Sequence, residues 1–468
     1  MSTIARRTFL RASAVAGGVS LLPAASARAY AANGKLNIAG IGVGGRGGNH
    51  VAPALDENLV AACDAVDGAV QHCLRHVADV SKKQKVERPA PKAFSDYREM
   101  LDTMDKEIDA VFVAVPDHHH APASLMAMKR KKHVYCEKPL THTLAEARRM
   151  AEVAREMKVA TQLGNQHRAE EGWRFLCEYV WGGVAGAVKE VHVWTDRPGI
   201  PSRPWWPQGG PRPQGEDPVP AGLSWDVWLG QAPKRPYLDT YKEGRLKGKR
   251  VYQPFVWRGW WDFGTGALGD IGCHALSGIF SALKIEYASS VELVKDAGDG
   301  TNEMFPSASV IRWDIPARGG MPPCKLFWYD GAMYPDRALL ELPEGKPFPD
   351  NGRILVGEKG KLDFSSTERA PRPMSGLKDV TPPAKSIPRC ESSHFGEWVA
   401  AAKGGSRAPA SSFVDHSGAL TEFVLLGNLA IKAGVGRKVE WDGKAMTCRN
   451  LPELNAWVKR EPRKGWEC

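Results

Sequence analysis

Three groups of residues in this chain have the types and spacing that chemistry requires. The first is a glycine set. Gly42, Gly44 and Gly47 form G-x-G-x-x-G directly after the apolar run Leu36, Ile38, Ala39, Ile41. Glycines there allow a tight turn, let backbone approach a pyrophosphate, and let the next helix pack close to the strand. The free N–H groups at the start of that helix then face the phosphates. A second apolar run, LVAACDAV, carries Asp64 near its end. That carboxylate lies about twenty residues past the glycines, where it would bind ribose hydroxyls. It favours NAD over NADP, because a 2′-phosphate would meet a carboxylate and no Arg directly follows Asp64 to receive it. The second group is Glu137-Lys138-Pro139-Leu140. Lys138 falls at the C-terminal end of a predicted parallel strand, where ligands bind in open α/β sheets. Pro139 restricts Lys138 to extended geometry and admits a cis bond. The third group is Asp270 and His274, four residues apart and so on one face of a helix. Oxidising an alcohol needs a base for the hydroxyl proton, and His is the usual base near neutral pH. Taken alone, the pair reads more readily as a helix start with a capping Asp and a buried His.

The elements that must position these groups alternate in the first third of the chain. Strand and helix patterns follow one another from Lys35 to about Gly164, as βαβ units require. A helix begins near Gly47 and runs through Leu55. Asp109 to Val115 is a continuous apolar run, typical of a buried parallel strand. It ends in Pro116-Asp117-His118-His119-His120, with a helix expected from Pro122 to Lys131. One His of the triplet is placed near the cofactor and another at the start of that helix. No Cys or acid stands at ligand spacing around them, so no metal is assigned. A strand follows at His133 to Cys136, then a helix from Leu144 to Met157 capped by Thr143, then a strand from Val159 to Leu163. Asn165, Gln166 and His167 end that strand facing nicotinamide or substrate.

The second part reads differently. Lys189 to Thr195 alternates as a strand. Residues 199 to 222 are a long Pro- and Gly-rich loop, and Ser224 to Leu229 is a short helix with a Ser cap. A Gly-rich turn leads into a helix near Ala267 to Leu283. Further strands are expected at Ser290–Val294, Ala308–Trp313, Lys325–Tyr329 and Arg353–Gly357, with helices at His394–Lys403 and Gly418–Gly434. Trp194, Trp205, Trp206, Trp257, Trp260 and Trp261 offer stacking faces for sugar rings, with at least half expected in the core. Arg197 and Arg258 are wall residues for hydroxyl or carboxylate groups.

The chain has 468 residues, enough for two domains with real cores. Its formal charge of +10 is spread along the sequence. The densest basic run, Lys242 to Arg250, reads as a solvated loop, and no nucleic-acid motif is present. The nine Cys are scattered without a C-x-x-C pair, which argues against a disulfide framework. Residues 1–31 contain Arg6, Arg7, Arg11 and Arg28 and no acid. Arg6-Arg7-Thr8-Phe9-Leu10, a modest apolar stretch and small residues around Ala29 make a twin-arginine signal, implying export and a periplasmic or extracytoplasmic site. The stretch is too weakly apolar to span a membrane well.

The glycine loop GVGGRG, the tetrapeptide Glu137 to Leu140 and Asp270-Ile271-Gly272-Cys273-His274, in that order, resemble the Gfo/Idh/MocA family of glucose–fructose oxidoreductase and inositol dehydrogenase relatives. The resemblance covers nearly all of the chain past the leader. The ending PELNAWVKREPRKGWEC looks like that of exported, sugar-related members. The resemblance implies an α/β protein: a Rossmann domain over residues 34–167, then a C-terminal α+β domain over 168–468 with a large, mainly antiparallel sheet covering the nicotinamide. It implies Lys138 as the cation that polarises the reacting hydroxyl, His274 as general acid/base, and Asp270 as its orienter or a substrate ligand. Arg46, Pro116, His120, Glu137 and Gln166 join the three glycines and Asp64 on the cofactor side. Trp194, Arg197, Trp257 and Arg258 form the substrate side. The expected activity is hydride transfer between a tightly held NAD and a sugar, glycoside or cyclitol hydroxyl, in a homo-oligomer. Outside the cytoplasm, oxidation of one substrate and reduction of another would close the cycle on one cofactor. Two further readings are a redox-neutral NAD-using glycosidase and a non-catalytic sugar-binding protein that kept the fold.

Overall fold

The computed structural model describes residues 34–200, 203–377 and 379–467. The expected leader, 1–31, lies outside them. Six parallel strands form the first sheet: β1 Asn37–Ile41, β2 Asn58–Cys63, β3 Lys92–Phe94, β4 Ala110–Val113, β5 His133–Glu137 and β6 Thr161–Gly164. Their order, β3-β2-β1-β4-β5-β6, is that of a dinucleotide-binding sheet. Of the apolar run Asp109 to Val115, β4 takes Ala110–Val113, and these four residues are buried, as a strand covered on both faces must be. The helix Leu144–Met157 starts on the expected Thr143 cap. Thr143 accepts from the Glu146 N–H, and Glu146 reaches back to the Thr143 N–H, a reciprocal capping box.

Three local expectations are corrected. The helix after β4 spans Asp117–Lys129, so all three His lie in its first turns and Pro122 lies inside it. Pro122 has no N–H for the His118 carbonyl one turn earlier, and the Gln231 side chain donates to that carbonyl instead. The helix expected from Ala267 to Leu283 is two, Gly266–Ala275 and Ser277–Ala282. The Cys273 carbonyl there accepts from Asn165 Nδ2 (2.8 Å), and a side chain inserted into the helical ladder produces such a break. Ser224 precedes the helix Trp225–Leu229 but gives it no side-chain cap; its backbone N–H is spent on the Ala65 carbonyl.

The second sheet has nine strands. Its centre pairs Val188–Thr195 in parallel with Cys324–Tyr329, and every other pairing is antiparallel. One face packs Val191, Val193, Trp313, Leu326 and Trp328 against the helices Gly172–Trp181, Gly266–Ala275 and Gly418–Ala433. Two excursions bind this part of the chain to the first sheet. Between the strand Val188–Thr195 and Gly266 the chain builds an aromatic cluster around Trp228, Tyr252, Trp260 and Phe263. It docks by backbone bonds from Asp67 to Gly222 and from Ser224 to Ala65 (both 2.8 Å). Near the other end, the helix His394–Ala402 returns to the first domain, where Phe395 and Trp398 join Tyr135 and Phe112 in one core. Phe413 and Trp466 join the core on the sheet's other side.

Candidate active site

The glycine loop is built as its spacing requires. Gly42 has φ +80°, and a Cβ there would lie 2.5 Å from the Ala114 carbonyl oxygen. A Cβ on Gly47 would lie 1.8 Å from the Gly42 carbonyl oxygen, so helix and strand touch backbone to backbone. The helix Gly45–Ala54 starts with Gly44 at its cap, and no side chain closes that end. Its first N–H groups are therefore presented to the cavity as an anion site. Asp64 Oδ2 accepts from the Val43 and Gly44 N–H groups (3.1 and 3.2 Å), and Oδ1 accepts from Val66 (3.0 Å). Burial raises the Asp64 carboxyl while these three bonds oppose the shift. The carboxylate thus braces the loop and still has lone pairs for hydroxyl donors.

A cavity of about 770 Å3 opens above the loop. Its lining includes Gly42, Gly44, Arg46, Asp64, Pro116, His120, Glu137 and Lys138 from the first domain, and Trp257 and Arg258 from the second. The volume is that of a cofactor-sized site. Bare backbone at the turn, a helix end without a capping side chain and a hydroxyl-accepting acid at the far wall together fit a dinucleotide. Gly47 and Gln166 are not on the lining. Gly47 acts through the close approach just described. Gln166 Nε2 donates to Tyr135 Oη and to Glu137 Oε1 (3.0 and 2.9 Å).

Glu137 is the hub of the inner wall. Its Oε1 also accepts from His50 Nε2 (2.7 Å) and Arg46 Nε (3.1 Å). Burial would raise this carboxyl, but His50 and Arg46 outweigh it and hold the pKa down to about 2. Gly164 has no side chain because a Cβ would sit 2.5 Å from the Glu137 carboxyl carbon. His120 turns both ring nitrogens to backbone carbonyls, of Pro139 and Val115, and burial lowers it to about 4. His118 likewise faces the Phe263 and Trp228 carbonyls. His119 Nε2 also faces the Trp228 carbonyl (2.9 Å), so each His of the triplet is turned to backbone.

The Lys138–Pro139 bond is cis. Lys138 Nζ donates to Asp270 Oδ1 (2.6 Å) and to the Asp270 carbonyl (2.9 Å). Arg258 Nε donates to the same Oδ1 (2.7 Å). Burial alone would raise the Asp270 carboxyl, but the two cations hold it well below the usual range. Asp270 is therefore not the partner of His274. That partner is Asn165, whose Oδ1 accepts from His274 Nδ1 (2.8 Å). Asn165 Nδ2 is committed to the Cys273 carbonyl, which fixes the amide's orientation and the ring's tautomer. His274 Nε2 is then the lone-pair nitrogen. Burial, followed by Lys138 and His167, lowers His274 to about 3, so the imidazole is neutral, as a proton acceptor must be. His274 opens onto a narrow crevice shared with Asn165, His167, Trp173 and Arg353. Asp117 stands behind the group, fully buried. Its Oδ2 accepts from Thr265 Oγ1 (2.6 Å), and burial raises it to about 7.

Trp194 and Arg197 lie away from this cavity. Trp194 is buried with Leu340, Ile354 and Met374, and its indole N–H donates to the Pro349 carbonyl. Arg197 pairs with Asp196 and lies 3.8 Å over the Trp205 ring. Trp206, Trp260 and Trp261 are buried as well, whereas Trp205 is exposed. One consequence of the loop geometry is testable directly. Gly47→Ala forces a backbone shift between β1 and its helix, so nucleotide affinity should fall by at least about tenfold, the equivalent of 1.4 kcal/mol. Equilibrium titration with NAD measures it, and unchanged affinity would mean that the loop does not cradle the pyrophosphate.

Comparison with known proteins places this arrangement. Residues 36–165 match the Gfo/Idh/MocA family (oxidoreductase family, NAD-binding Rossmann fold), and residues 205–352 match its C-terminal alpha/beta domain. A myo-inositol 2-dehydrogenase of Thermotoga maritima is 29% identical over 167 residues, which are 36% of this chain and 47% of that protein. The chain thus spans about half the length of the curated relatives it matches. Among solved structures, the fold is shared with the WlbA dehydrogenase from Bordetella pertussis in complex with NADH and UDP-GlcNAcA (TM-score 0.54, 15% identity, 87% of this chain and 99% of that one). It is shared also with the aldose-aldose oxidoreductase from Caulobacter crescentus complexed with glycerol (TM-score 0.52, 16% identity, 87% and 99%). With both domains of the family matched in order, this chain belongs to the Gfo/Idh/MocA family of oxidoreductases.

Proposed function

We propose that this protein transfers a hydride between a hydroxyl-bearing carbon of a sugar, glycoside or cyclitol and a bound NAD. The observation that carries the reading is the meeting of Lys138, Asp270 and Arg258 at the glycine-loop cavity, with a tautomer-fixed His274 one helical turn past Asp270 and within the electrostatic reach of Lys138. Bound NAD supplies the hydride acceptor. The remaining work falls to side chains. Lys138 Nζ, held by Asp270, donates to the substrate oxygen and stabilises negative charge there. His274 Nε2 takes the hydroxyl proton, and Asn165 Oδ1 holds the opposite ring nitrogen as charge appears. Arg258 shares the Asp270 carboxylate, keeping it ionised when Lys138 turns toward substrate. Trp257 and Arg258 supply an aromatic and a cationic wall for a hydroxylated ring. Asp64 favours NAD by accepting both ribose hydroxyls. The twin-arginine leader supports export of the folded, cofactor-loaded protein, and we infer a homo-oligomer from the family resemblance.

The test uses protein purified without added cofactor. Nucleotide released on denaturation is identified, and intact protein is then offered glucosides, free sugars and inositols while reduced-nicotinamide absorbance is followed. Bound NAD that becomes reduced with one substrate class supports the proposal. Sugar release without lasting reduction would replace it with the glycosidase reading. Absence of both bound and bindable NAD would remove it.

A further inference from the structure

A second cavity, of about 320 Å3, shares no lining residue with the cofactor cavity. It lies between the start of the helix Leu144–Met157, the end of the helix Gly418–Ala433 and the short helix Asn455–Val458. Lys432 is its centre. The ammonium nitrogen is 3.7 Å from the ring centroid of Trp261 and 3.7 Å from that of Trp457. Lys432 has no hydrogen bond or ion pair among the described residues. The other ionisable groups around it are committed elsewhere. Arg460 is paired with Asp262, His142 Nε2 is turned to the Gly264 carbonyl, and Glu303 is paired with Arg235. Asn428 Nδ2 donates to the Thr265 carbonyl, while its buried Oδ1 has no donor. Leu144, Leu425, Leu429 and Phe305 make the remaining wall apolar.

A part-buried ammonium between two indoles gains cation–π attraction but lacks an acceptor for its N–H groups. Burial lowers Lys432 to about 7, against the pull of Glu303. A ligand anion would supply the acceptor. One uncommitted cation suits one negative charge, because the Arg460 charge is already neutralised. The apolar walls and the indole faces suit a flat or ring-shaped body.

We propose that the Lys432 cavity is a second ligand site, separate from the cofactor site, that takes a small monocarboxylate with an apolar or ring-shaped body. The carboxylate accepts from Lys432 Nζ, and the body lies against Trp261 and Trp457.

Benzoate is the probe, and benzamide its uncharged counterpart. Full-length protein is acylated briefly at neutral pH, and lysine labelling is mapped by peptide mass spectrometry. Benzoate should slow labelling of Lys432 saturably, by at least about fivefold, through occupancy of its nitrogen. The exposed Lys234 should label at an unchanged rate, and benzamide should not protect Lys432. Calorimetry on Lys432→Met should show benzoate affinity lowered about tenfold or more. Trp457→Leu changes a part-exposed indole and should weaken benzoate without altering the fold. NAD binding is measured on every variant, so loss of the proposed catalytic reading and loss of this site remain separate results. Equal protection by benzamide, unprotected Lys432 at saturating benzoate, or unchanged benzoate affinity in Lys432→Met would each overturn the proposal.

Discussion

Replacing Lys138 by Met should lower the rate of hydride transfer by about 10²–10⁴-fold, the range of a positioned proton-transfer group, while NAD affinity changes by no more than a few-fold. Met keeps most of the stem and removes the charge and three donors. The bond to Asp270 Oδ1 at 2.6 Å goes, but Arg258 still pairs with that oxygen, so no uncompensated buried charge remains. In the proposed mechanism the substrate oxygen, in contrast, loses its charged donor. Lys138→Arg should not restore the rate, because a planar fork cannot reproduce a point donor between Asp270 and a hydroxyl. Pre-steady-state reduction of bound NAD measures the step directly. A rate within tenfold of the parent would remove Lys138 from the chemistry. The same pair has a pH signature. Asp270 is depressed in the folded state, so its contribution to stability is full above the unfolded value of about 3.9 and is lost as pH falls through the lower folded value. Stability near neutral pH should therefore be insensitive to this carboxylate.

Trp398→Ala should destabilise the protein by about 3–5 kcal/mol, the cost of deleting a fully buried large aromatic. Trp398 is 0% exposed. Its ring lies 5.8 Å from that of Tyr135 and 5.1 Å from that of Phe395, and its indole N–H donates to the Ala160 carbonyl (3.3 Å). Removing it leaves a void against β5 and one donor fewer on that carbonyl, which keeps the Val134 N–H. Because Tyr135 also carries Gln166 and lies against His50, the Glu137 hub loosens with it. Urea unfolding followed by far-UV circular dichroism measures the effect. A loss below 1 kcal/mol would mean that the returning helix is an ornament on the first domain and not part of its core.

The sequence shows some of this arrangement more clearly than the rest. β4, the glycine loop and the capping box at Thr143 are written in short windows, where periodicity, glycine spacing and capping chemistry act locally. Lys138 and Asp270 stand in separate short motifs, yet their bond spans 132 positions, and only the family resemblance suggested that they meet. Position alone, at the end of its strand, puts Asn165 facing nicotinamide or substrate. Its role as orienter of His274 was not legible, because the partners are 109 positions apart and an amide carries no titration or charge signal. The four-residue spacing brings Asp270 and His274 to one helix face, which makes Asp270 an orienter of His274 or a substrate ligand. Two cations from elsewhere compete for that carboxylate more strongly than a neutral imidazole does. Trp194 shows a different limit. Strand alternation tells which side of the sheet a residue faces, but not that Leu340 and Met374 cover that side.

The return of the helix His394–Ala402 to the first domain also bears on synthesis. The sheet of that domain is complete once Gly164 has been made, but Trp398 and Phe395, which cover β5, are added more than two hundred residues later. At about 5–20 residues per second, the ribosome leaves that apolar surface uncovered for roughly ten to fifty seconds. Over that interval the nascent first domain presents Tyr135 and Phe112 beneath an unfinished wall. The chain's two domains then mature together, with the last segment made closing the core of the first.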